Sequence, residues 1–480
     1  MTGTIPFSIV IQCYSEGEAG DAQLFAHLYH DRVVFDHSRH EWYLWATHFW
    51  KVDIVGSVYN LITHKVAAEY LEAAAEAKRQ NMKNTEGNDF SDDLIKRAGA
   101  LRNRRRVDNI LFLAAKLPGI ALAGDEWDRD PWLLAVENGV LDLKTGQLNP
   151  GRPRDFIHYH AALVWNSLDE LCPQWEKFIN EVFNNDIAII EFIQKLHGYA
   201  ITGLTIENIL PIEVGEGRNG KTTKNEVLLD LLGSDYAMTA DADTLMDTKK
   251  TGDGPKPFVY ALRGKRLACT KESNEGVHIN AGLVKQLTGG DTLTVRDMYS
   301  RPVTFTPTHL VLLSTNNKPH MSAEDTALWD RVILIPYDQR FVDNPDPLKP
   351  NEHKQDKLLK QKLLSEKSGI LAWLVRGCLE WQKTGLGIPV KLKDATKQYR
   401  DDEDSLKNFI DECCLINNPN FYILAGDLYK EYKQWSFDNG ISPMSNTAFG
   451  LRMKKRYQAN KCGKITYTGI TLSNHPLKYP

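Results

Sequence analysis

The residues with the clearest chemical potential lie at positions 215–222, which read GEGRNGKT and fit the pattern G-x-x-x-x-G-K-[ST]. Glycines allow the backbone N–H groups of such a loop to turn inward around phosphate oxygens. Lys221 can then reach the β- and γ-phosphates, and the Thr222 hydroxyl can bind Mg²⁺. We therefore expect ATP and Mg²⁺ as ligands. The predicted contacts are Gly215, Glu216, Gly217, Arg218, Asn219, Gly220, Lys221, Thr222 and Thr223.

The runs on either side of this loop favour a functional site over a chance match in a glycine-rich turn. ILPIEV before the loop has the apolar composition of a buried strand. TTKNEVLLDLLG after it has the spacing of a helix that Gly233 can end. The loop would thus lie at a helix N-terminus, where the helix dipole favours phosphate.

Polar side chains recur at the ends of the next apolar runs. Glu272 follows RLACTK, with Glu275 three residues on, and a carboxylate there can bind Mg²⁺ or activate the attacking water. Asn316 follows HLVLLST and can sense the γ-phosphate or hold the attacking water. Arg331 precedes VILIPY and can act as an arginine finger on a neighbouring subunit. The alternatives are an ordinary strand-end glutamate at Glu272 and a surface ion pair between Arg331 and Asp330.

The segment TLTVRDMYSRPVTFTPT has alternating apolar residues on both sides of a turn, which predicts a β-hairpin with a basic and aromatic tip. It follows the segment KQLTGGD. Such a tip can contact a nucleic-acid backbone, and an ordinary surface hairpin fits the same pattern when it is considered alone. The predicted DNA contacts in this region are Lys285, Arg296, Tyr299, Ser300 and Arg301.

Length and composition describe a large globular protein. Its 480 residues predict two to four domains, and its net charge of −4 does not by itself indicate a nucleic-acid binder. No apolar run approaches the roughly 20 residues of a membrane span, and the first residues lack the pattern of a signal peptide. None of the seven cysteines forms a C-x-x-C pair, which argues against a zinc site and for a reducing cytosol.

Basic residues are concentrated near the C-terminus. Residues 439–480 contain no acid and seven bases, and the order helix, helix, strand, strand in the last 65 or so residues suits a winged helix. The predicted DNA contacts on its basic second helix are Arg452, Lys454, Lys455 and Arg456. A second basic cluster lies at 96–106. Both clusters fit either a phosphate footprint or a solvated helix face, and for the cluster at 439–480 the two fit equally well.

Pattern changes along the chain predict five regions around an α/β core whose sheet is mostly parallel. These regions are an N-terminal α+β region (1–130), a helical collar (131–202), the nucleotide-binding core (203–345), a second helical region (346–412) and a winged-helix-like DNA-binding domain (413–480).

The phosphate loop, Glu272, the K-x-L-T-G-G-D segment, Asn316 and Arg331 occur in an order that resembles superfamily 3 helicases. The chain is similar, more narrowly, to the phage and plasmid primase-helicase family, whose relatives include the poxvirus primase-helicase. NGVLDLKTGQLNP, CPQW and HGYAITG upstream, and ATKQYRDDEDSLKNFI and TYTGITL downstream, resemble the flanking regions of that family.

This resemblance implies a AAA+ phosphate-loop core that assembles as a hexameric ring. Lys221, Thr222 and Glu272 would act from one subunit and Arg331 from the next, with the hairpin near 299–301 in the central channel. Two positions depart from the pattern. Lys271-Glu272 stands where two acids are frequent, which leaves the division of labour between Glu272 and Glu275 open. Asp330 stands where a second arginine is frequent, which leaves Arg331 the one finger candidate at that place.

The resulting hypothesis is an ATP-dependent DNA helicase of a phage, plasmid or mobile element, active in the cytoplasm of a bacterial host. Many relatives carry an N-terminal primase domain. Here the roughly 130 residues before NGVLDL contain neither a zinc cluster nor a metal-carboxylate set, so we expect a separate primase or polymerase partner. The alternatives are an origin-specific initiator that uses ATP for assembly and origin melting, and a AAA+ remodeller that does not act on nucleic acid.

Overall fold

A computed structural model describes residues 5–247, 256–271, 276–298, 302–440, 443–462 and 464–473. Five of the predicted site residues lie outside these ranges: Glu272, Glu275, Tyr299, Ser300 and Arg301.

The N-terminal region packs six helices beside a small sheet, with a π-helix at Leu61–Val66 between α3 and α4. Its elements are α1 (Phe7–Ser15), α2 (Gly17–Tyr29), β1 (Val33–Asp36), β2 (Glu41–Trp45), β3 (Trp50–Val52), α3 (Ser57–Asn60), α4 (Ala67–Arg79), α5 (Phe90–Ala100), α6 (Arg104–Ala114) and β4 (Ala121–Leu122). The sheet order is β3-β2-β1-β4, with β4 parallel to β1. Small alanines on one face of α4 are buried and allow close packing of the helices.

Part of the basic cluster at 96–106 is structural. The Asp21 carboxylate is completely buried, and its Oδ1 accepts from Arg97 Nη1 at 3.0 Å while its Oδ2 accepts from Arg106 Nε at 3.0 Å. Tyr70 donates to the same carboxylate at 2.7 Å. A buried charge is tolerated only when it is paired in this way, so these two arginines hold α2, α5 and α6 together.

A small sheet and two helices follow. They are β5 (Leu133–Val136), β6 (Gly139–Asp142), β7 (Gln147–Asn149), α7 (Pro173–Val182) and α8 (Ile187–Ala200). β6 and β7 pair antiparallel around a Lys-Thr-Gly turn and form a hairpin, as the short apolar runs on both sides of that turn predict. α7 begins with Pro173 at its first position, where a missing N–H costs nothing.

The central region alternates strands and helices. Its elements are β8 (Leu210–Val214), α9 (Lys221–Tyr236), β9 (Ala237–Asp241), α10 (Pro257–Ala261), β10 (Leu267–Lys271), α11 (Ala281–Thr288), β11 (Leu293–Val295), β12 (Val303–Phe305), β13 (Leu310–Thr315), α12 (Thr326–Trp329) and β14 (Val332–Pro336). The helical conformation of α9 is interrupted at Gly233, whose φ is 69°, and this break confirms the predicted helix end.

Five of these strands form one parallel sheet in the order β14-β8-β13-β10-β9. Helices cover both faces, so the strands are buried on both sides, and all six residues of β13 are buried. Along β13, Leu310 and Leu312 face one apolar core, while Val311 and Leu313 face the other. The sheet confirms the predicted mixed α/β class.

The remaining chain is mostly helical and ends in a small module. It contains β15 (Arg340–Val342), β16 (Glu352–Lys354), α13 (Leu359–Leu364), α14 (Lys367–Thr384), α15 (Val390–Asp402), α16 (Ser405–Cys413), β17 (Cys414–Ile416), β18 (Tyr422–Leu424), α17 (Ala425–Asp438), α18 (Asn446–Arg456), β19 (Ala459–Cys462), β20 (Lys464–Thr468) and β21 (Ile470–Leu472). We call residues 405–473 the C-terminal module. Its strands β18, β20 and β19 form an antiparallel sheet beside α16, α17 and α18.

α14 packs along α8, where Gly198 and Gly377 bring the two backbones together. A Cβ on Gly198 would lie 2.2 Å from the Cys378 nitrogen, so no larger residue fits without moving a helix. Among the described residues, no helix combines the length and the apolar character that crossing a bilayer requires.

Candidate nucleotide-binding site

The carboxyl ends of the parallel strands bring the predicted site residues to one edge of the sheet. β8 runs into the phosphate loop, β13 ends one residue before Asn316, and β10 ends at Lys271, next to the position of Glu272. Because β13 lies between β8 and β10, the Asn316 segment stands between the loop and the strand that leads to Glu272. Crevices at this edge are where open α/β sheets bind ligands.

Steric constraints define the conformation of the phosphate loop. Gly220 has φ of 90°, and a Cβ there would lie 2.7 Å from Val182 Cγ2. A Cβ on Gly215 would lie 2.4 Å from the Tyr337 carbonyl oxygen. Arg218 also adopts a positive φ, of 65°, which is uncommon for a residue with a side chain. Asn219 braces the turn by donating to the Glu216 carbonyl at 2.7 Å.

Lys221 occupies the centre of the site. Its side chain is 4% exposed, and its Nζ donates to the Gly215 carbonyl oxygen and, at 3.3 Å, to Asn316 Oδ1. The ammonium is therefore held between the phosphate loop and the end of β13. In that position the ammonium can donate hydrogen bonds to the phosphate oxygens of a bound ligand.

A cavity of about 450 Å³ opens beside this lysine, which is within the size range of small-molecule sites. Thr222, Thr223 and the loop backbone line one wall, and Thr270, Ser314 and Asn316 line another. The N-terminus of α9 faces it, so the cavity combines a cation, a helix N-terminus and hydroxyl groups. These groups fit a triphosphate with its Mg²⁺, for which Thr222 would supply one oxygen ligand.

Asp241 is a carboxylate in this cavity that the sequence analysis missed. It ends β9, lies beside Lys271 in the strand register, and lines the wall opposite the loop. Its signal in the sequence is the strand AMTAD, which ends in an acid, whereas RLACTK is followed directly by one. Only the strand order reveals that the two strands are neighbours.

A buried polar cluster lies directly beneath the loop, and we call Glu213, Lys224, Asn225, His197 and Tyr337 the clasp. The Glu213 and Lys224 side chains are fully buried and form an ion pair. Asn225 Nδ2 donates to Glu213 at 2.9 Å and the Tyr337 hydroxyl donates at 2.5 Å. The clasp therefore joins the residues before and after the phosphate loop to α8 and to the end of β14.

The protonation states of the clasp follow from burial. Burial and the neighbouring Lys224 ammonium hold the pKa of His197 well below its usual value, so its ring is neutral. His197 then donates through Nδ1 to the Ile193 carbonyl at 2.8 Å and accepts from Lys224 through Nε2 at 3.1 Å. Burial also raises the pKa of Tyr337 and, to about 12, that of Cys269, so both remain protonated. The net result is one balanced charge pair under the loop.

Arg331 lies at the opposite edge of the sheet, at the start of β14. Five strand residues separate it from the loop edge, which is roughly 16 Å, so its side chain lies far from the phosphate loop of its own chain. Its Nε donates to Thr288 Oγ1 at 3.2 Å and its Nη1 to the Ala327 carbonyl at 2.5 Å. Within the described ranges, no ion pair joins Arg331 to Asp330.

A groove of about 600 Å³ surrounds Arg331 and is also lined by Lys256, Lys285 and the backbone of Gly289 and Gly290. Lys285 Nζ donates to both carboxylate oxygens of Asp325, at 2.7 and 2.8 Å, which lowers the pKa of that carboxyl. The groove therefore gathers three basic side chains at an edge that carries no phosphate loop of its own.

The predicted hairpin is present as β11 and β12, which pair antiparallel from Leu293 with Phe305 to Val295 with Val303. Arg296 follows β11 with an exposed side chain, and the tip residues lie outside the described ranges. Lys285 belongs to α11 and to the Arg331 groove rather than to the hairpin.

Three of the four basic residues predicted on α18 pair with acids of the same chain. Arg452 Nε lies 3.1 Å and Lys455 Nζ 3.4 Å from the two oxygens of Glu324. Arg456 Nη2 lies 2.5 Å from Asp404 Oδ2. Lys454 is exposed, and it lines a separate groove of the C-terminal module with Lys464.

Comparison with known families matches two parts of the chain. Residues 22–184 match the family described as "D5 N terminal like", and residues 214–331 match a family of unknown function (DUF5906). The second match spans the phosphate loop, Asn316 and Arg331.

Comparison with individual proteins finds relatives in large DNA viruses. The chain is 27% identical over 417 residues to "Putative helicase L207/L206" of Acanthamoeba polyphaga mimivirus, covering 83% of this chain and 43% of that protein. It is 27% identical to "Putative helicase 022R" of Frog virus 3 (75% and 44%) and 23% identical to "Putative primase C962R" of African swine fever virus (64% and 33%). The chain thus spans less than half the length of these curated relatives.

One solved structure, the apo A form of the NrS-1 C-terminal region, aligns over 92% of this chain and 96% of that chain, with a TM-score of 0.45 and 11% identity. By sequence, residues 22–184 form a D5 N-terminal-like region, and the chain is similar to proteins named as helicases and primases of large DNA viruses.

Proposed function

We propose that this chain is the motor of an ATP-dependent DNA helicase. The observation that carries the proposal is the position of Lys221, whose ammonium lies between the phosphate loop and Asn316 at the mouth of a cavity of nucleotide size. The relatives named as helicases come from large DNA viruses, which supports DNA as the strand along which the motor moves.

In this proposal the loop backbone and Lys221 hold the triphosphate of ATP, and Thr222 with Glu272 binds Mg²⁺. Glu272 or Glu275 activates the attacking water, and Asn316 contacts the γ-phosphate or the water. Asp241 adds a carboxylate to the wall opposite the loop, where it can hold the metal's water shell.

We assign the core to the AAA+ class of superfamily 3 and its assembly to a hexameric ring. The reason is the order of the motifs, which resembles that superfamily. The separation of Arg331 from its own loop supports a site shared between subunits, because an arginine at the far edge of the sheet is placed to complete a neighbour's site. The Arg331 groove supports this assignment, since three basic side chains there complement phosphate charge. Its geometry favours a role for Lys285 beside the finger over one in DNA contact.

The DNA strand would pass the hairpin of β11 and β12, with Arg296 and the tip residues Tyr299, Ser300 and Arg301 against its backbone. Backbone contacts give sequence tolerance and strong dependence on salt. Hydrolysis would move each hairpin along the strand. Priming would come from a separate primase or polymerase.

Steady-state ATP hydrolysis with and without single-stranded DNA, together with displacement of an annealed strand, tests the proposal. We expect DNA to stimulate hydrolysis and Lys221→Ala to abolish both activities. Lys383→Ala, which removes a lysine on α14 whose side chain is 72% exposed and pairs with Glu380 of the same helix, is the matched control and should retain both. Hydrolysis that ignores DNA, with no displacement, would contradict the helicase assignment.

A second candidate function is an origin-specific initiator. The observation in its favour is the C-terminal module, whose three-stranded antiparallel sheet and α17–α18 pair suit a winged helix. A footprint on one specific sequence of the DNA of the parent phage, plasmid or mobile element would favour this role if it disappears when residues 415–480 are deleted. Uniform protection of unrelated duplexes would favour the helicase alone.

A further inference from the structure

The basic helix α18 presents its charges in two directions. Its apolar side, with Phe449 and Met453, is buried in the C-terminal module. Arg452 and Lys455 turn toward Glu324, and Arg456 turns toward Asp404. Lys454 points elsewhere, into a groove that none of the other three basic side chains lines.

We propose that the C-terminal module binds duplex DNA through the groove of Lys454 and Lys464, while Arg452 and Lys455 hold the module against the ATPase core and Arg456 pairs with Asp404 at the start of α16. This inference rests on the proposed function and revises the residues that the sequence assigned to DNA. We call the first surface the lysine groove and the second the docking face.

The lysine groove has the shape and chemistry for a phosphate backbone. It measures about 570 Å³ and lies between the first turns of α17 and α18 and the strand β20. Gly426 and Gly450 keep its floor open, because an added Cβ would meet nothing within 4 Å at the first and only the Tyr467 hydroxyl, at 3.7 Å, at the second.

Polar groups and charge in the lysine groove favour DNA over another occupant. Asn446 and Thr447 supply hydrogen-bonding side chains at the start of α18, and Lys454 and Lys464 supply two exposed cations against the single acid Asp427. Across the described ranges, no ion pair neutralises either lysine. A groove with free cations, amide and hydroxyl groups and helix N-termini matches the groups that contact phosphates in duplex DNA.

The docking face has the opposite character, because its cations already have partners. Glu324 forms ion pairs with both Arg452 and Lys455. Asp404 pairs with Arg456 through Oδ2, and its Oδ1 caps α16 by accepting from the Lys407 backbone N–H at 3.0 Å. DNA phosphates at this face would have to displace three ion pairs.

The docking face also lies next to the finger. Glu324 directly precedes Asp325, which caps α12 and binds Lys285, and α12 supplies the carbonyl of Ala327 to Arg331. The C-terminal module therefore contacts the short segment that orients Arg331. The inference thus gives Arg452 and Lys455 a mechanical role beside the neighbour's nucleotide.

Two double variants of equal charge change test the division. Lys454→Glu/Lys464→Glu and Arg452→Glu/Lys455→Glu each replace two cations by two acids. Binding of a fluorescent blunt duplex is measured without nucleotide over a range of salt, and circular dichroism verifies the fold of each variant. We expect the first variant to lose at least about tenfold in affinity, with a slope of log K against log salt reduced by about two. The second should bind within about threefold of wild type.

Hydrogen exchange in α12 supplies the readout for docking. We expect faster exchange at 326–329 in Arg452→Glu/Lys455→Glu, and recovery when Glu324→Lys restores opposite charges. The lysine-groove variant should leave α12 unchanged.

Equal loss of duplex affinity in both variants, or no loss in the lysine-groove variant, would overturn the proposal. A wild-type chain that binds no duplex would overturn it as well, while DNA-stimulated hydrolysis on single strands would leave the proposed function standing.

Discussion

The two edges of the parallel sheet are built differently. At the carboxyl edge, Lys221 is 4% exposed and lies above the clasp, whose charged pair is fully buried. At the amino edge, the Lys285 side chain is 34% exposed, and Glu324 holds Arg452 and Lys455 in solvent-accessible ion pairs. Buried pairs are costly to break, whereas exposed pairs contribute about 1 kcal/mol or less each. One edge is therefore pre-formed for a ligand, and the other can adjust to a partner.

The clasp is expected to give the largest effect on stability. Lys224→Met leaves the Glu213 carboxylate buried without its cation, which should lower the free energy of unfolding by about 3–5 kcal/mol. Lys360→Met is the matched control, because its side chain is 48% exposed and pairs with a Glu226 side chain that is 36% exposed, so about 1 kcal/mol or less is expected. Urea unfolding, with hydrogen exchange in β8 as the probe, measures the free energy of unfolding of both variants. Similar losses in the two variants would remove the distinction between buried and exposed pairs.

A backbone constraint in the loop should give a smaller effect. Gly220→Ala forces a side chain into a positive φ and within 2.7 Å of Val182 Cγ2, and such strain costs about 1–3 kcal/mol. Gly217→Ala is the matched control in the same loop, because its added Cβ would meet no atom within 4 Å. Thermal unfolding without nucleotide should separate the two variants. A loss at Gly217 as large as that at Gly220 would contradict the described loop.

The amino edge should give the smallest effect. Glu324→Ala removes one partner from both Arg452 and Lys455 and should weaken docking of the C-terminal module by about 1 kcal/mol or less. Hydrogen exchange in α18 should rise a few-fold at about 0.01 M salt, and the difference should vanish near 1 M, where the Debye length falls to about 3 Å. Glu226→Ala, on the far edge, should leave α18 unchanged. A difference that persists in high salt would show that the contact is not ionic in origin.

The same contrast explains what the sequence predicted. The phosphate loop is a local pattern, since eight consecutive residues and their flanking runs specify both conformation and chemistry, and the strand, helix and Gly233 break appear where they were expected. The hairpin strands follow from alternation for the same reason.

Contacts between distant residues were beyond such patterns. His197 contacts Lys224 only because α8 packs beside α9. The sequence around either residue does not predict this contact. Charge runs are equally ambiguous. Arg97 and Arg452 have similar surroundings in the sequence, yet one binds a buried aspartate and the other a surface glutamate. Burial decides the role of an arginine, and burial depends on the whole fold.

Under the proposed function, the carboxyl edge of one subunit and the amino edge of the next form a single ATPase site. Subunits with Lys221→Ala lack the first half and subunits with Arg331→Ala lack the second, so each alone should hydrolyse ATP at least about 10³-fold more slowly than wild type. Nucleotide binding should survive in Arg331→Ala, because its own loop is intact.

Mixing the two variants tests the claim directly. In equimolar mixed rings, about one interface in four joins an intact loop to an intact arginine, so hydrolysis should recover to about a quarter of the wild-type rate. Mixed rings are verified by pulling down one tagged variant with the other. Recovery to that level is the result that the shared site predicts, and verified mixed rings that stay as inactive as their parents would contradict it.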